Sequence, residues 1–394
     1  MDLSLSPALR EFQDEVRTWF AEHLVGEFAR HRGVGFSWDD AAWDVRVAWD
    51  RELSAGGWLC LGWPKEYGGR DASIDEQLIF QLEYARANPP YRATASGQDL
   101  LGPTLLAFGS PGQKSRFLPR IVSVEDFWGQ GFSEPGAGSD LAGLRTRAYR
   151  DGDEWVIDGQ KVWTSVGARA NWMYVLCRTD PDAPRHRGLS LLMVPVDQPG
   201  VDVRPIRNIV GGAEFCEVFY TGARTPADMV IGPVNQGWQV AMGTLGTERG
   251  TTLLAEHLRT KREVDEMIEA ARAGRRTHQP VLRRDLAQAW SDARIMEWNA
   301  LRLMTAIKGQ GIDPIVQASI SKVFASEAHI RMGETAMRAE GATSELVGAG
   351  YELDRLQQVF LASRAESIYG GTTQIQLNVL GERTLGLPRE PRPS

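Results

Sequence analysis

The sequence has few cysteines and shows no pattern typical of a metal site, a secretion signal or a membrane span. Its three cysteines, Cys60, Cys177 and Cys216, are far apart and form no Cys-x-x-Cys pair, so we expect buried thiols without a redox role. The six histidines show no ligand spacing, and we predict no metal site. No apolar run approaches the ~20 residues of a membrane span, and the N-terminus lacks a basic region before an apolar core. We therefore expect a cytoplasmic protein without a membrane segment.

Charge and length narrow the possible classes of protein further. The 394-residue chain has 51 acidic and 44 basic residues, a net charge of −7. Because proteins that bind a phosphate backbone usually present basic surfaces, we expect no nucleic-acid partner. A local basic pocket can still bind a small anionic ligand. A chain of this length can bury a large core and is expected to form two or three structural units.

The hydrophobic pattern changes twice along the chain, from helical to β and back to helical. Ser6 and Pro7 have N-cap and first-turn identities, and helices are then predicted at 7–20, 43–55, 74–87 and 113–122. After Gly237, long helical stretches with short connections predict an antiparallel bundle. The first of these stretches runs from Trp238 to Ala273. We predict an α+β fold with an all-helical domain at 1–126, a β domain at 127–235 and a helical bundle at 236–394.

Short strands between turn residues are predicted for the middle region. Trp155–Ile157 and Lys161–Trp163 flank the turn pair Asp158–Gly159, a pattern typical of a β-hairpin. Several such strands within about a hundred residues favour a compact barrel or sandwich. The further strands are expected at 173–177, 189–196, 201–205 and 217–220.

Tryptophan is abundant, with 13 residues in the chain. Six of them lie within helical patterns, where packing is a commoner role than ligand contact. We therefore expect core or interface packing for Trp19, Trp43, Trp49, Trp238, Trp290 and Trp298.

Two stretches have the composition of a ligand site. Phe132–Asp140 contains three small residues in succession, which allow a tight bend and close approach of the backbone to a ligand, with the hydroxyls of Ser133 and Ser139 beside them. The glycines alone fit a plain loop equally well. Lys161–Ser165 follows nearby and offers an aromatic residue with adjacent hydroxyls, which suits a flat and partly polar ring system.

With these motifs the chain resembles the acyl-CoA dehydrogenase family over essentially its whole length. Glu134–Asp140 matches the family pattern Glu-Pro-Gly-Ala-Gly-Ser-Asp, and Gly159–Trp163 matches Gly-Gln-Lys-x-Trp, with a hydroxyl residue two positions later at Ser165. Ile368–Gln376 matches Ile-Tyr-x-Gly-Thr-x-Gln-Ile-Gln. The resemblance implies the family fold: an N-terminal helical domain, a central β-barrel or sandwich domain and a C-terminal four-helix bundle.

The resemblance also implies a FAD cofactor. Phe132 and Ser133 would contact the flavin ring, and Trp163 would cover one side of it. Ser165 would hydrogen-bond near flavin O4 and N5, while Ser139 would lie near the pantetheine or phosphates of the acyl carrier. The cofactor-binding residues implied are Gln130, Phe132, Ser133, Gly138, Ser139, Trp163, Ser165, Thr372 and Gln374.

One departure from the family pattern concerns the catalytic base. Many members carry a glutamate directly after the tyrosine of the third motif, where this chain has Gly370. Isovaleryl-CoA dehydrogenase and its relatives place the base at the position matching Glu248. The resemblance therefore implies that Glu248 removes the α-proton and that the backbone N–H of Gly370 binds the thioester oxygen. Arg249 would orient Glu248 and bind substrate, or join a charge network. Without the resemblance, Glu248 fits a solvated helix residue paired with Arg249.

The implied reaction converts an acyl-CoA, or an acyl carrier protein thioester, to the trans-2-enoyl thioester, with an electron-transfer flavoprotein as acceptor. Family members form homotetramers or dimers and contact FAD across subunits, through an arginine motif and a Gln-x-x-Gly-Gly stretch. Here 272–280 and Met337–Gly341 match those elements poorly. Relatives acting on steroid side chains pair two different subunits, and Trp163–Ser165 resembles that branch. Two alternatives stay open: a flavin oxidase or monooxygenase on this fold, and a non-catalytic partner subunit of a mixed oligomer.

Overall fold

The computed structural model describes residues 5–35, 41–248, 252–309 and 313–388, without the side chains of 247–248 and 252–255. Two compact units are present. The first, here called the sheet unit, comprises Thr18–Gln77 and Pro89–Glu248. The second, here called the bundle unit, comprises Met1–Arg17, Leu78–Asn88 and Arg249–Ser394. Within the described residues, no helix has both the length and the apolar character to cross a membrane.

The helices follow the predicted pattern closely. Ser6 Oγ accepts the N–H of Leu9 at 3.3 Å and so caps the first helix. The predicted helices at 43–55 and 74–87 begin and end at the predicted residues. The described helices are α1 Pro7–His23, α2 Gly26–Arg30, α3 Trp43–Ala55, α4 Ile74–Ala87, α5 Gly102–Phe108, α6 Pro111–Val122, α7 Gly237–Glu248, α8 Thr252–Ala273, α9 Pro280–Ile307, α10 Pro314–Glu340, α11 Arg355–Glu366 and α12 Thr373–Val379.

The strands form one mixed sheet in the sheet unit. Their order is β6-β7-β3-β2-β4-β5-β8, and β1 pairs in parallel with β4. Apolar side chains of several strands form a buried core that includes Ile157, Val175 and Val218. The strands are β1 Trp128–Gly131, β2 Arg147–Asp151, β3 Glu154–Ser165, β4 Trp172–Arg178, β5 Leu189–Pro195, β6 Val201–Ile206, β7 Phe215–Pro226 and β8 Val230–Ile231.

The predicted hairpin turn at Asp158–Gly159 is wrong. Both residues lie inside the continuous strand β3, which pairs with β7 along its length. The register shifts between Ile157 and Asp158, so the pair forms an irregularity in a long strand. The reversal occurs earlier, where β2 and β3 pair antiparallel around Gly152, whose φ is 62°. An Asp-Gly pair is compatible with a bulge as well as with a turn, and local sequence does not separate the two.

The bundle unit has its own apolar core between α8, α9, α10 and α11, which includes Val264, Leu282 and Met332. The predicted helical stretch from Trp238 to Ala273 contains two described helices: α7, which ends at Glu248 in the sheet unit, and α8, which begins at Thr252 in the bundle unit. The residues between them lie outside the described part of the chain. Core packing is confirmed for Trp49, which is fully buried, but Trp290 and Trp298 are 54% and 59% exposed on α9. For these two only the interface prediction remains.

Candidate active site

The two ligand-site stretches of the sequence meet in the sheet unit. The N–H of Val162 donates to the carbonyl of Ser133 at 2.9 Å. Beside this bond, Nζ of Lys161 donates to the carbonyl of Phe132 at 2.9 Å. The segment that follows β1 is therefore fastened to β3 at the position where the Trp163–Ser165 motif begins.

A buried ion pair holds this junction. Lys161 is fully buried, and its Nζ lies 2.9 Å from Oε1 of Glu134. Glu134 also accepts the N–H groups of Arg145 and Thr146 at 2.7 and 2.8 Å. Burial opposes ionisation of Glu134, but Lys161 and the hydrogen bonds from Thr146 outweigh it and hold the pKa of the carboxyl below its usual range. Burial lowers the pKa of Lys161, and the carboxylate of Glu134 offsets only part of this lowering.

Trp163 has an unusual backbone and an exposed ring. Its φ is +61°, a left-handed value that an aromatic residue rarely adopts, and the β3–β7 register shifts between Lys161 and Thr164. The indole is 58% exposed and meets the ring of Phe215 edge-on, with centroids 6.1 Å apart. Strained backbone of this kind is found preferentially at functional sites. The conformation presents a large flat surface at the end of β3.

Two buried polar atoms of the sheet have no partner among the described residues. They are Nε2 of Gln130, on β1, and Oγ1 of Thr164, on β3; both atoms are buried. Buried polar atoms in native proteins nearly always have a partner, so such exceptions need an explanation, and a bound ligand is one. Ser165 is half-buried at the end of the same strand. A bound ligand with polar groups would account for these two atoms.

The glycine-rich loop projects from the same junction. Glu134 and Ala137 exchange two backbone hydrogen bonds of 3.0 and 3.1 Å, which close a tight turn. Gly138 and Ser139 follow this turn and are exposed, and a side chain at Gly138 would meet nothing within 4 Å. Asp140 forms an ion pair with Arg185. The loop therefore presents open backbone and the Ser139 hydroxyl to solvent, as a binding loop does.

The predicted base lies at the end of α7, the last helix of the sheet unit. Glu248 is the final residue of this helix. Its side chain lies outside the described residues, and so does the whole of Arg249. α7 is fixed to α5 by a hydrogen bond of 2.8 Å between Oγ1 of Thr244 and Oγ1 of Thr104. The backbone position of Glu248 is thus set by a packed helix.

The third motif lies in the bundle unit, where α11 ends. Gly370 and Gly371 have φ values of 63° and 88°, which favour glycine. Nε2 of Gln376 donates to the carbonyl of Gly370 at 3.2 Å. Thr372 caps α12 by accepting the N–H of Ile375 at 3.2 Å. Gln374 is exposed. The turn therefore has a defined conformation that a residue with a side chain would strain.

A buried ionic network under this turn is not apparent from the sequence. Nδ1 of His329 lies 2.8 Å from Glu366, the last residue of α11, and Nε2 lies 2.8 Å from Glu263. Burial lowers the pKa of His329, but the two carboxylates outweigh it and raise the pKa to about 10. Lys322 and Ser326 both donate to the carbonyl of Glu366. The network fixes the helix end from which the Gly370 turn begins.

The stretches that match the family poorly contact each other in the bundle unit. Nη1 of Arg276 donates to the carbonyl of Ala339 at 3.0 Å. The neighbouring Glu340 has a buried Oε2 without a partner among the described residues. Burial and the nearby Asp354 raise the pKa of Glu340 to about 7. A guanidinium bound to the chain's own backbone and a carboxyl group beside it do not form a favourable phosphate site.

Comparisons with known proteins agree over nearly the whole chain. Three family models match it: the acyl-CoA dehydrogenase N-terminal domain at residues 6–125, the middle domain at 129–223 and the C-terminal domain at 235–385. Acyl-CoA dehydrogenase IpdE1 of Mycobacterium tuberculosis is 46% identical over 97% of this chain and 98% of its own. IpdE1 of Mycolicibacterium smegmatis is 44% identical over 97% and 98%.

Solved structures of acyl-CoA dehydrogenases are also similar to this chain over nearly its whole length. The Tcur3481–Tcur3483 steroid acyl-CoA dehydrogenase is 33% identical, with a TM-score of 0.86 over 99% of this chain and 100% of its own. The ChsE4–ChsE5 complex of Mycobacterium tuberculosis is 31% identical, with a TM-score of 0.81 over 99% and 100%. Both names denote assemblies of two different chains.

Proposed function

The chain belongs to the acyl-CoA dehydrogenase family and is an acyl-CoA dehydrogenase; we propose that it uses FAD and Glu248 to oxidise an acyl thioester to the trans-2-enoyl thioester. The observation that carries the proposal is the junction of the two motifs in the sheet unit. There the N–H of Val162 binds the carbonyl of Ser133, Trp163 is exposed, and Gln130 and Thr164 on the same two strands carry polar atoms without a partner among the described residues.

The residues of this junction fit the isoalloxazine of FAD. The flat face of Trp163 suits stacking on a ring, while Gln130 and Thr164 offer polar atoms that lack partners among the described residues. We assign the ring to Gln130, Phe132, Ser133, Trp163 and Ser165, and the rest of the cofactor to Gly138, Ser139, Thr372 and Gln374. When bound, FAD would supply the acceptor for the hydride, which carries both electrons of the oxidation.

Glu248 has the chemistry that the α-carbon requires. Removing a proton next to a thioester needs a well-placed base and stabilisation of the charge that develops on the carbonyl oxygen. In our assignment the carboxylate of Glu248 takes the α-proton, and the C–H bonding electrons move toward the thioester carbonyl. Gly370 retains the N–H that would bind this oxygen and lacks a side chain that would crowd the acyl group. Arg249 would orient Glu248 or contact the substrate.

A partner subunit is proposed because the two stretches that correspond to the family's cross-subunit FAD contacts are poorly suited to bind phosphate. Arg276 is bound to the chain's own backbone, and Glu340 adds a carboxyl group where a phosphate-binding surface is needed. Both structural relatives described above are assemblies of two chains. We therefore favour a hetero-oligomer with a related subunit over a homotetramer or dimer. The same observation supports the alternative of a non-catalytic partner subunit.

Electrons would leave through an electron-transfer flavoprotein, and the acyl carrier would be CoA or an acyl carrier protein. We propose the cytoplasm as the compartment, because Cys60, Cys177 and Cys216 are buried free thiols.

An anaerobic absorption titration tests the proposed function. The protein, isolated with any subunit that co-purifies, is mixed with a panel of acyl-CoAs while the oxidised flavin band is recorded. We expect at least one thioester to bleach the band under anaerobic conditions. When air and an electron acceptor are then added, we expect no peroxide to form. A protein that stays colourless with added FAD would contradict the assignment, and peroxide formation would favour the oxidase.

A further inference from the structure

The segment that contains Gly370 connects the end of α11 to the start of α12, and we call residues 367–372 the Gly370 turn. Its two glycines, Gly370 and Gly371, have φ values of 63° and 88°. Glycine adopts such values without strain, but it also leaves the backbone more freedom than any other residue. The glycines therefore do not by themselves fix the direction of the Gly370 N–H, which we assign to the thioester oxygen.

The direction of this N–H depends on Tyr369. The peptide bond is planar, so the N–H of Gly370 lies in one plane with the carbonyl group of Tyr369. The N–H of Tyr369 donates to the carbonyl of Ala365, on α11, at 3.0 Å. On the other side, Nε2 of the buried Gln376 donates to the carbonyl of Gly370 at 3.2 Å. A group that holds Tyr369 therefore also restrains the N–H of Gly370.

Lys322, on α10, contacts both ends of the segment that leads to Gly370. Its Nζ donates to the carbonyl of Glu366, the last residue of α11. The same Nζ lies 4.5 Å from the centroid of the Tyr369 ring, within the range of a cation–π interaction. Lys322 is half-buried, and Tyr369 is 40% exposed. One ammonium group thus joins the end of the helix to the residue directly before Gly370.

Glu366 is fixed through both its side chain and its carbonyl group. Nδ1 of the buried His329 lies 2.8 Å from its carboxylate. Its carbonyl also accepts the hydroxyl of Ser326, one turn from Lys322 on α10, at 3.0 Å. The bond from Lys322 therefore ends on an anchored helix terminus. The ring of Tyr369 is the contact whose position the ammonium can determine.

A cation at the end of a helix is common for a simpler reason. Lysine side chains near helix C-termini bind the last carbonyl groups and interact favourably with the helix dipole. That role needs the contact with Glu366 but not the contact with Tyr369, and Ser326 already supplies a donor to the same carbonyl. We propose that Lys322 is a positioning residue: through Tyr369 it holds the N–H of Gly370 in the direction that stabilises the charge developing on the thioester oxygen. This inference rests on the proposed function and adds a residue to it.

Loss of Lys322 should slow proton removal more than it weakens substrate binding. The charge on the thioester oxygen develops only as the α-proton leaves, so a misdirected donor affects the transition state more than the bound substrate. A displacement of about 1 Å can lower a rate by about 10²-fold. We therefore expect kcat for Lys322→Met to fall by about ten- to hundredfold while KM changes by less than about twofold.

Exchange of the α-protons with solvent measures this step without electron transfer. The holoenzyme, isolated with any subunit that co-purifies, is reduced anaerobically with dithionite so that its flavin cannot accept a hydride. It is then incubated in D2O with the acyl-CoA that best reduces the oxidised wild-type enzyme, and the α-proton signal is followed by NMR. We expect the exchange rate of Lys322→Met to be about ten- to hundredfold lower than that of the wild type. The infrared band of an isotope-labelled thioester carbonyl should also shift less on binding, because a hydrogen bond to the oxygen lowers its frequency.

Three further variants separate positioning from folding, with FAD content and the size of the assembly measured for each. Lys322→Arg retains a cation that can bind the same carbonyl and ring, and it should recover most of the exchange rate. Lys261→Met, at an exposed lysine of α8, is the matched control and should leave the exchange rate unchanged. Tyr369→Leu removes the ring but keeps the bond to Glu366, so it should slow the exchange as Lys322→Met does. It decides the question if Lys322→Met does not assemble.

The outcomes distinguish this inference from the proposed function. Exchange at the wild-type rate in either Lys322→Met or Tyr369→Leu would overturn the inference, because Lys322 would then act only on the helix end. The proposed function would stand in that case. If no acyl-CoA reduces the flavin of the wild type, the proposed function itself fails and the inference falls with it.

Discussion

The ammonium of Lys161 lies 2.9 Å from the carboxylate of Glu134, and the same nitrogen donates to the carbonyl of Phe132. The two charged residues belong to different sequence motifs, one in the glycine-rich loop and one on β3. Their pairing sets the loop against the strand and so determines where Ser133 and Trp163 lie. The ion pair is therefore part of the architecture of the proposed flavin surface, although neither residue is assigned to bind the cofactor.

Lys161→Met leaves the carboxylate of Glu134 buried without its cation. We expect a loss of about 3–5 kcal/mol in the free energy of unfolding, because breaking one half of a buried pair leaves an uncompensated charge. Urea denaturation followed by tryptophan fluorescence measures it. The double variant Lys161→Met/Glu134→Gln should recover much of this loss, since no lone charge remains. If it is no more stable than Lys161→Met, the pair does not have this role.

Trp163→Ala removes the flat surface at the end of β3. We expect the Kd for FAD to rise by about two- to tenfold, because an aromatic pair of this kind contributes about 0.5–1.5 kcal/mol. Fluorescence titration of apoprotein with FAD measures it. Trp163→Phe retains a ring and should lie between alanine and wild type. Trp298→Ala is the control, since Trp298 is equally exposed on α9. Unchanged FAD affinity in Trp163→Ala would remove Trp163 from the proposed site.

His329 makes the stability of the bundle unit depend on pH. Its pKa of about 10 lies above the value of about 6.5 in an unfolded chain. The stabilisation is therefore fully present below about pH 6.5 and is lost as the pH rises toward 10. His329→Gln should show a shallower decline in the free energy of unfolding over this range. The wild type and the variant contain the same other titratable groups, so the difference between the two curves reports on His329. Parallel curves would show that the imidazole is not charged in the folded protein.

Gly370→Glu restores the residue that many family members carry at this position. We expect no gain in kcat/KM, because a second carboxylate would repel that of Glu248. We also expect a loss of stability of about 1–2 kcal/mol, since φ at Gly370 is +63°. Gly370→Ala carries the same backbone strain without the charge and separates the two effects. A rise in activity in Gly370→Glu, above that of Gly370→Ala, would indicate that the base was misassigned.

Local sequence predicted those elements that depend on local interactions. The helices at 43–55 and 74–87 have the predicted bounds, because apolar spacing predicts both and Gly56–Gly57 ends the first. Asp158–Gly159 was predicted as a hairpin turn and is instead part of β3, because pairing with the distant strand β7 outweighs the local preference. The exposure of Trp298 could not be predicted either, since helical spacing does not reveal which face of α9 is covered.

The site was predictable where motifs are contiguous and hidden where contacts are distant. Ser133 and Trp163 were identified from their motifs, and their roles stay predictions. His329 was not, because its carboxylate partners are 37 and 66 residues away along the chain. Arg92 and Asp99 are only seven residues apart, but their pairing depends on a π-helical turn, Ser96–Leu101, that lies between α4 and α5. No periodicity of apolar residues predicts such a turn.

The most direct test of Glu248 as the base is the rate of flavin reduction in Glu248→Gln. The variant is mixed anaerobically, in a stopped-flow instrument, with the acyl-CoA that best reduces the wild-type enzyme, after its FAD content has been measured. Glu269→Gln, an exposed glutamate of α8, is the control. We predict normal FAD content and a reduction rate lower by about 10²- to 10⁴-fold, the usual contribution of a general base. Reduction at close to the wild-type rate would contradict the assignment of Glu248 and the mechanism built on it.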